Sequence, residues 1–216
     1  MIRFSSACLA AMLILIAADP AQAFFSSEMV DPGAAQTRLA TATDSSAPLA
    51  PAPPSQSDLE EPFTVRWNGY EITGQSGIGI EAVVLSQTTY RTGDLGALVP
   101  FDLALAWGPV SAPDWIRHLR VKQSERLYRW SYPPGTSLTV EQVTHGSANM
   151  HMMPANDGVR AELARVREGD LVRISGYLVD ISGPEDFTWK SSTVRSDTGR
   201  GSCELILVEN IEIVRE

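Results

Sequence analysis

Apolar and polar residues alternate with a period of two along most of the chain beyond position 63. Val65 and Trp67, followed by Ile72, predict a first strand ending near Gly74. Residues 78–90 form a long run rich in β-branched side chains, closed by Arg91-Thr92-Gly93-Asp94. Phe101, Leu103, Leu105 and Trp107 alternate with Asp102, Ala104 and Ala106, as a half-buried strand should. Tyr128, Trp130 and Tyr132 alternate likewise and stop at Pro133-Pro134-Gly135, and 138–143 is another candidate strand. Runs over 171–181, 187–194 and 203–214 complete the set, with Gly183-Pro184 as a turn. Two stretches break the alternation. Ser111 can cap a helix that buries Trp115, Ile116 and Leu119. Asn156 or Asp157 can cap a second, with Val159, Leu163 and Val166 at helical spacing and Gly169 as its stop. The pattern predicts a mainly β domain: a small antiparallel barrel or sandwich with two short helices.

Composition divides the chain into three. Met1-Ile2-Arg3, an apolar run over 7–18 and Ala21-Gln22-Ala23 read as a signal peptide cleaved near Ala23. That run is shorter than the roughly 20 apolar residues a membrane span needs, so no span is expected in the mature chain. The protein is expected to be periplasmic or secreted. Residues 24–62 are rich in Pro, Ala and Ser, with Arg38 alone against six acids, and read as a disordered acidic linker. Residues 63–216 then form a single β-rich domain with 15 basic and 19 acidic residues. The net charge of −9 argues against nucleic acid as a partner, but more than half of the acidic excess belongs to the linker. Loss of the leader removes Cys8 and leaves Cys203 as a single thiol with no internal disulfide partner.

Three stretches could carry chemistry. The segment 145–156 holds His145, Asn149, His151, Met150, Met152 and Met153. As a strand it places His151 and Met153 on one face and Met150 and Met152 on the other. Thioethers with imidazole suit Cu(I), but this alternation separates the ligands and favours methionine as core filler. Zinc on His145, His151 and Cys203 lacks a close ligand pair, so no metal and no cofactor are expected. The segment 191–204 can cradle an anion through backbone N–H groups with Arg195 or Arg200, or be a hairpin in which Asp197 bonds its own backbone. The run 117–130 carries five Lys and Arg with Tyr128 and Trp130 interleaved. It reads either as an aromatic and cationic groove or as a strand with a solvated basic face. Cys203, His151 and Asn149 are also the residue types of a thiol nucleophile, its base and an orienting amide, with Glu204 as a spare carboxylate.

The segment Glu168-Gly169-Asp170-Leu171-Val172-Arg173-Ile174-Ser175-Gly176-Tyr177-Leu178 resembles a strand of the oligonucleotide/oligosaccharide-binding (OB) fold, and residues 206–213 are similar to that fold's last strand. Asp102-Leu103-Ala104-Leu105-Ala106-Trp107-Gly108, residues 126–130, Ser147-Ala148-Asn149-Met150-His151 and residues 191–204 together resemble an uncharacterised family of small exported proteobacterial proteins. That resemblance implies one compact exported domain and no particular activity. The expected function is a binding or interaction module for a protein, peptide or glycan, using Asn149, His151, Arg195, Asp197 and Arg200. The competing expectation is a small thiol-dependent hydrolase or transferase using Cys203 with His151.

Overall fold

The computed structural model describes residues 45–194 and 202–214. Ten strands follow the chain: β1 (Ser55–Ser57), β2 (Thr64–Trp67), β3 (Tyr70–Thr89), β4 (Phe101–Ala106), β5 (Arg120–Ser124), β6 (Leu127–Ser131), β7 (Ser147–Pro154), β8 (Leu171–Ser182), β9 (Thr188–Trp189) and β10 (Glu204–Val214). Four short helices join them: α1 (Gly93–Leu98), α2 (Pro113–Ile116), α3 (Val140–Gly146) and α4 (Asp157–Leu163).

Five strands close into a ring. β3 pairs with β4, β4 with β7, β7 with β10, β10 with β8, and β8 returns to β3. Counted in chain order, the ring runs one, two, three, five, four. β3 can serve both neighbours because it is 20 residues long and its register shifts at Gly74/Ser76 and Val84/Ser86. Such irregularities bend a strand and increase its twist, which closure requires. Gly176 permits the tight β8–β10 approach, since a Cβ there would collide with the Leu207 carbonyl.

The structure is mainly β and barrel-like, as the alternation predicts, with two differences. The ring is mixed rather than antiparallel, because β7 and β10 run parallel. Among the described residues there are four helices rather than two. Residues 138–143 are not a strand: Thr139 accepts from the Gln142 backbone while the Gln142 side chain accepts from the Thr139 N–H, a capping box that starts α3. Ser111 does not cap α2. It lies buried in the preceding 3-10 turn, where its hydroxyl accepts from the Ala50 N–H. Asn156 does cap α4, accepting from Val159.

The boundary of the linker also moves. Residues 24–44 lie outside the described residues, but Leu49 and Ala50 are buried and the Ala50 carbonyl accepts from Gly108. Ser55–Ser57 pairs with Gly77–Gly79 of β3. Extended, Pro-rich chain needs no helix or turn to find partners. Here it packs along the ring, so the folded unit begins well before residue 63.

Alternation along the ring strands sorts the core. Ile78, Ile80, Leu103, Leu105, Met150, Met152, Ile174 and Ile206 form the inner cluster, closed by Val159 and Leu163 of α4. Two further clusters lie outside the ring. One gathers Leu85, Ala104, Ala106 and Val143 under Tyr128 and Trp130 of the β5–β6 hairpin. The other gathers Ile72, Ile181, Met153 and Leu205 with Phe187 and Trp189.

Candidate functional site

A buried polar cluster lies on the outer face of β4 and β7. Register places Asp102 directly opposite His151, with Thr88 of β3 on one flank and Leu205 of β10 on the other. Asp102 is fully buried and His151 is 2% exposed. His151 Nδ1 and Arg126 Nη1 both lie 2.8 Å from Asp102 Oδ1. A carboxylate paired with a guanidinium can only accept, which assigns the His151 proton to Nδ1. Nε2 makes no hydrogen bond among the described residues.

Arg126 reaches this carboxylate from the tip of the β5–β6 hairpin. The two turn residues, Glu125 and Arg126, have φ of 51° and 65°. A two-residue hairpin turn of this hand needs positive φ at both positions, usually met by Asn-Gly or Asp-Gly. Holding two non-glycine residues there costs on the order of 1–3 kcal/mol each. The surroundings fix the strained tip from several sides. The Arg126 N–H donates to the Tyr90 hydroxyl, the Arg126 carbonyl accepts from Asn149 Nδ2, and the guanidinium lies 3.5 Å above the Tyr90 ring. Gln123 bolts the hairpin down further, donating to Asn149 Oδ1 at 2.6 Å and accepting from Thr88. Burial raises the Tyr90 pKa, and the neighbouring Asp102 charge raises it further.

Trp189 of β9 closes the other side, with its ring edge against His151 at 4.8 Å between centroids. The Arg126 guanidinium lies 5.5 Å over the indole ring, and both line a cleft of about 660 Å³ together with His151, Lys190, Ser191 and Cys203. Cys203 is half-buried and precedes β10. Its carbonyl accepts from Ser192, and Ser191 Oγ accepts from Leu205, so the strap 191–192 lies along the start of β10. Tyr128 lies close enough to Cys203 and Glu204 for their charges to act on it. Burial is the main cause of its raised pKa, partly opposed by its hydrogen bond to Ser147, with those two charges adding to the rise.

The expected site residues fall into three groups. His151 and Cys203 come together on one cleft. Asn149 is 1% exposed and its amide is engaged by Gln123 and Arg126, so it shapes the hairpin rather than facing a ligand. Arg195, Asp197 and Arg200 lie outside the described residues. The basic run 117–130 does not make an aromatic and cationic groove: Tyr128 and Trp130 pack on the ring while Lys122 and Arg129 are exposed. Met150 and Met152 fill the inner core, on the opposite face from His151. His145, at the end of α3, is exposed and bonded to the Glu141 carbonyl. Among the described residues no three His, Cys, Asp or Glu side chains converge for a metal ion. No helix among them is long and apolar enough to cross a membrane.

Sequence reasoning missed Asp102, Arg126, Tyr90 and Trp189. One signal was present. Asp102 shares its strand face with Ala104 and Ala106, and such small neighbours leave room for another element to lie on top. Comparisons with protein-family models, curated proteins and solved structures found no match for this chain.

Proposed function

We propose that this chain is an exported ligand-binding module of the OB kind. Its ligand would be a carboxylate-bearing glycan or peptide that enters the cleft lined by Trp189 and Arg126, whose guanidinium lies 5.5 Å over the indole ring. The carrying observation is the strained, many-sided anchoring of Arg126 at the cleft wall. Among the described residues only Nη1 of its guanidinium is hydrogen-bonded, which leaves Nη2 and Nε as donors for an incoming carboxylate. Trp189 offers an indole for stacking against a sugar or a planar side chain. The ring order supports the OB reading. The third of the ring strands supplies His151 to the cleft, and the third and fifth run parallel. The acidic balance of the chain keeps nucleic acid disfavoured.

The test uses protein purified after export through its own leader. Oligogalacturonate, a neutral chitooligosaccharide and a Glu-containing tetrapeptide are titrated by calorimetry. A carboxylate-bearing probe should bind, and Arg126→Met or Trp189→Ala should weaken it by about tenfold or more, the loss of a charge-assisted pair or of a stacking platform. Absence of binding by every probe, or binding indifferent to both substitutions, overturns the proposal.

A further inference from the structure

We infer that a second, independent site binds the phosphate or sulfate ester of a sugar-sized molecule, in a concavity formed by α1, α4 and the end of β3. Nothing in this inference depends on a ligand in the cleft beside Trp189. The concavity measures about 640 Å³, within the range of small-molecule sites. Arg91, Arg160 and Arg167 line it, and no Asp or Glu does so among the described residues. Helical spacing explains how two of them meet there. Val159, Leu163 and Val166, on α4 and the turn that follows it, form the stripe buried in the ring. Arg160, Ala164 and Arg167 repeat that spacing one residue further on, which makes a second stripe along the concavity. Arg91 comes from the turn between β3 and α1, and Gln87 and Thr89 of β3 add an amide and a hydroxyl to the lining.

Charge identifies the class of ligand. Arg66, Arg117, Arg126, Arg165 and Arg173 each meet a carboxylate. The three arginines of the concavity meet none among the described residues. Arg160 Nη2 instead donates to the Ala97 carbonyl at 2.9 Å, at the end of α1. Arg167 Nη1 donates to the Ala164 and Val166 carbonyls at 3.0 and 2.7 Å, just past α4. Asp170 accepts from the Arg167 backbone N–H, not from its guanidinium. Capping the last carbonyls of a helix is an ordinary use of arginine. It occupies one nitrogen of each guanidinium and accounts for nothing at Arg91. It also holds both side chains in place, so a ligand need not order them on binding. Each helix end offsets at most about half a charge, which leaves three guanidiniums with a surplus of roughly +2. In a chain of net charge −9 that surplus matches a dianion, and guanidiniums grip phosphate-like oxyanions through paired N–H bonds. A single carboxylate would neutralise only half of it.

The test is calorimetry on the full chain at low ionic strength, with glucose 6-phosphate, glucose 6-sulfate, inorganic phosphate and acetate as probes. One of the two esters should bind more tightly than inorganic phosphate and far more tightly than acetate, and the tighter ester identifies the headgroup. Arg91→Gln should weaken that binding by about tenfold, the loss of one charge-assisted contact. Arg91 makes no hydrogen bond or ion pair among the described residues, so this variant should keep the wild-type Tm. Arg167→Gln should weaken binding at least as much. Arg129→Gln removes the same charge from an exposed position on β6 and should change binding by less than about twofold. Failure of both esters to bind at millimolar concentration overturns the inference, as do equal losses in Arg91→Gln and Arg129→Gln. Acetate or inorganic phosphate binding as tightly as the esters overturns it too, since only a bare charge would then be recognised.

Discussion

The two faces of β4 and β7 are equally buried and chemically opposite. Inward, Leu103, Leu105, Met150 and Met152 meet other apolar side chains in the centre of the ring. Outward, Asp102, Asn149 and His151 alternate with them on the same two strands and are also lost to solvent. The inner face is held by non-directional packing, which tolerates changes of shape that conserve volume. The outer face is held by a chain of specific pairs, from Gln123 through Asn149 to the Arg126 tip and on to Asp102 and His151. Each member there is buried on condition that its neighbour is present. A small domain rarely keeps such a network for stability alone, since buried ion pairs often do no better than apolar replacements. The difference points to the outer face as the working surface.

Removing the hub should produce the largest effect. Asp102→Ala leaves a guanidinium and an imidazole without their shared acceptor, and breaking such a buried pair costs about 3–5 kcal/mol. Urea unfolding followed by circular dichroism measures it. A loss below about 1 kcal/mol, the value of an exposed pair, would make the outer face an ordinary wetted surface. Leu103→Ala, one residue further along β4 and on the other face, should cost about 3 kcal/mol through its cavity. The two variants separate in their second readout: at temperatures where both stay folded, Leu103→Ala should keep binding at the cleft and Asp102→Ala should lose it.

A smaller contrast sharpens the rule. Asn149→Ala deletes two side-chain hydrogen bonds and frees the hairpin tip, and leaving buried partners unsatisfied costs about 1–3 kcal/mol. Met152→Leu, at the neighbouring inward register, should cost less than about 1.5 kcal/mol because volume is conserved. Equal losses at the two sites would remove the distinction between a network and a packed core.

How far this was legible in the sequence follows from the same contrast. Alternation marks which residues leave the inner core, so the strands β4, β8 and β10 could be read, while 147–154 was legible only as a segment that, if a strand, sets His151 on the face opposite Met150 and Met152. Alternation is silent on what then covers the outward face. Asp102 therefore looked like a solvated charge, and only pairing of β4 with β7, set by chain folding, puts it beside His151. Arg126 was hidden differently. It belongs to a basic run whose other members are solvated, and its role depends on a turn with positive φ that its own residue types disfavour. The arm around Leu49 and Ala50 was hidden by composition, since a Pro-rich stretch signals extension but not whether the extended chain finds a groove. Helix α3 was legible in principle through its Thr139/Gln142 spacing, but the apolar run 138–143 suited a strand as well.

The smallest effect lies at alkaline pH, where the two phenols bordering the outer face report its electrostatics. Tyr90 and Tyr128 are both raised above the ordinary tyrosine value, mainly by burial, with negative neighbours adding to it. For each, the folded state holds its proton more tightly than the unfolded chain does. Their contribution to stability is therefore complete below the unfolded value of about 10 and falls as pH rises through that value toward the folded one. Unfolding midpoints should be level with respect to these groups up to about pH 9.5 and decline above it. Tyr128→Phe should lessen that decline more than Tyr90→Phe, because Tyr128 is enclosed between the hairpin and Ser147 whereas Tyr90 stands nearer the surface. Spectrophotometric titration of the folded protein should show that each variant loses a late-ionising phenol. If Asp102 contributes its charge to the Tyr90 shift, Asp102→Asn should lower that phenol's titration and leave the Tyr128 phenol unmoved. A shift at Tyr128 of the same size would mean that the substitution had loosened the hairpin as a whole, and the outer face would then be a cooperative lid rather than a set of separable pairs.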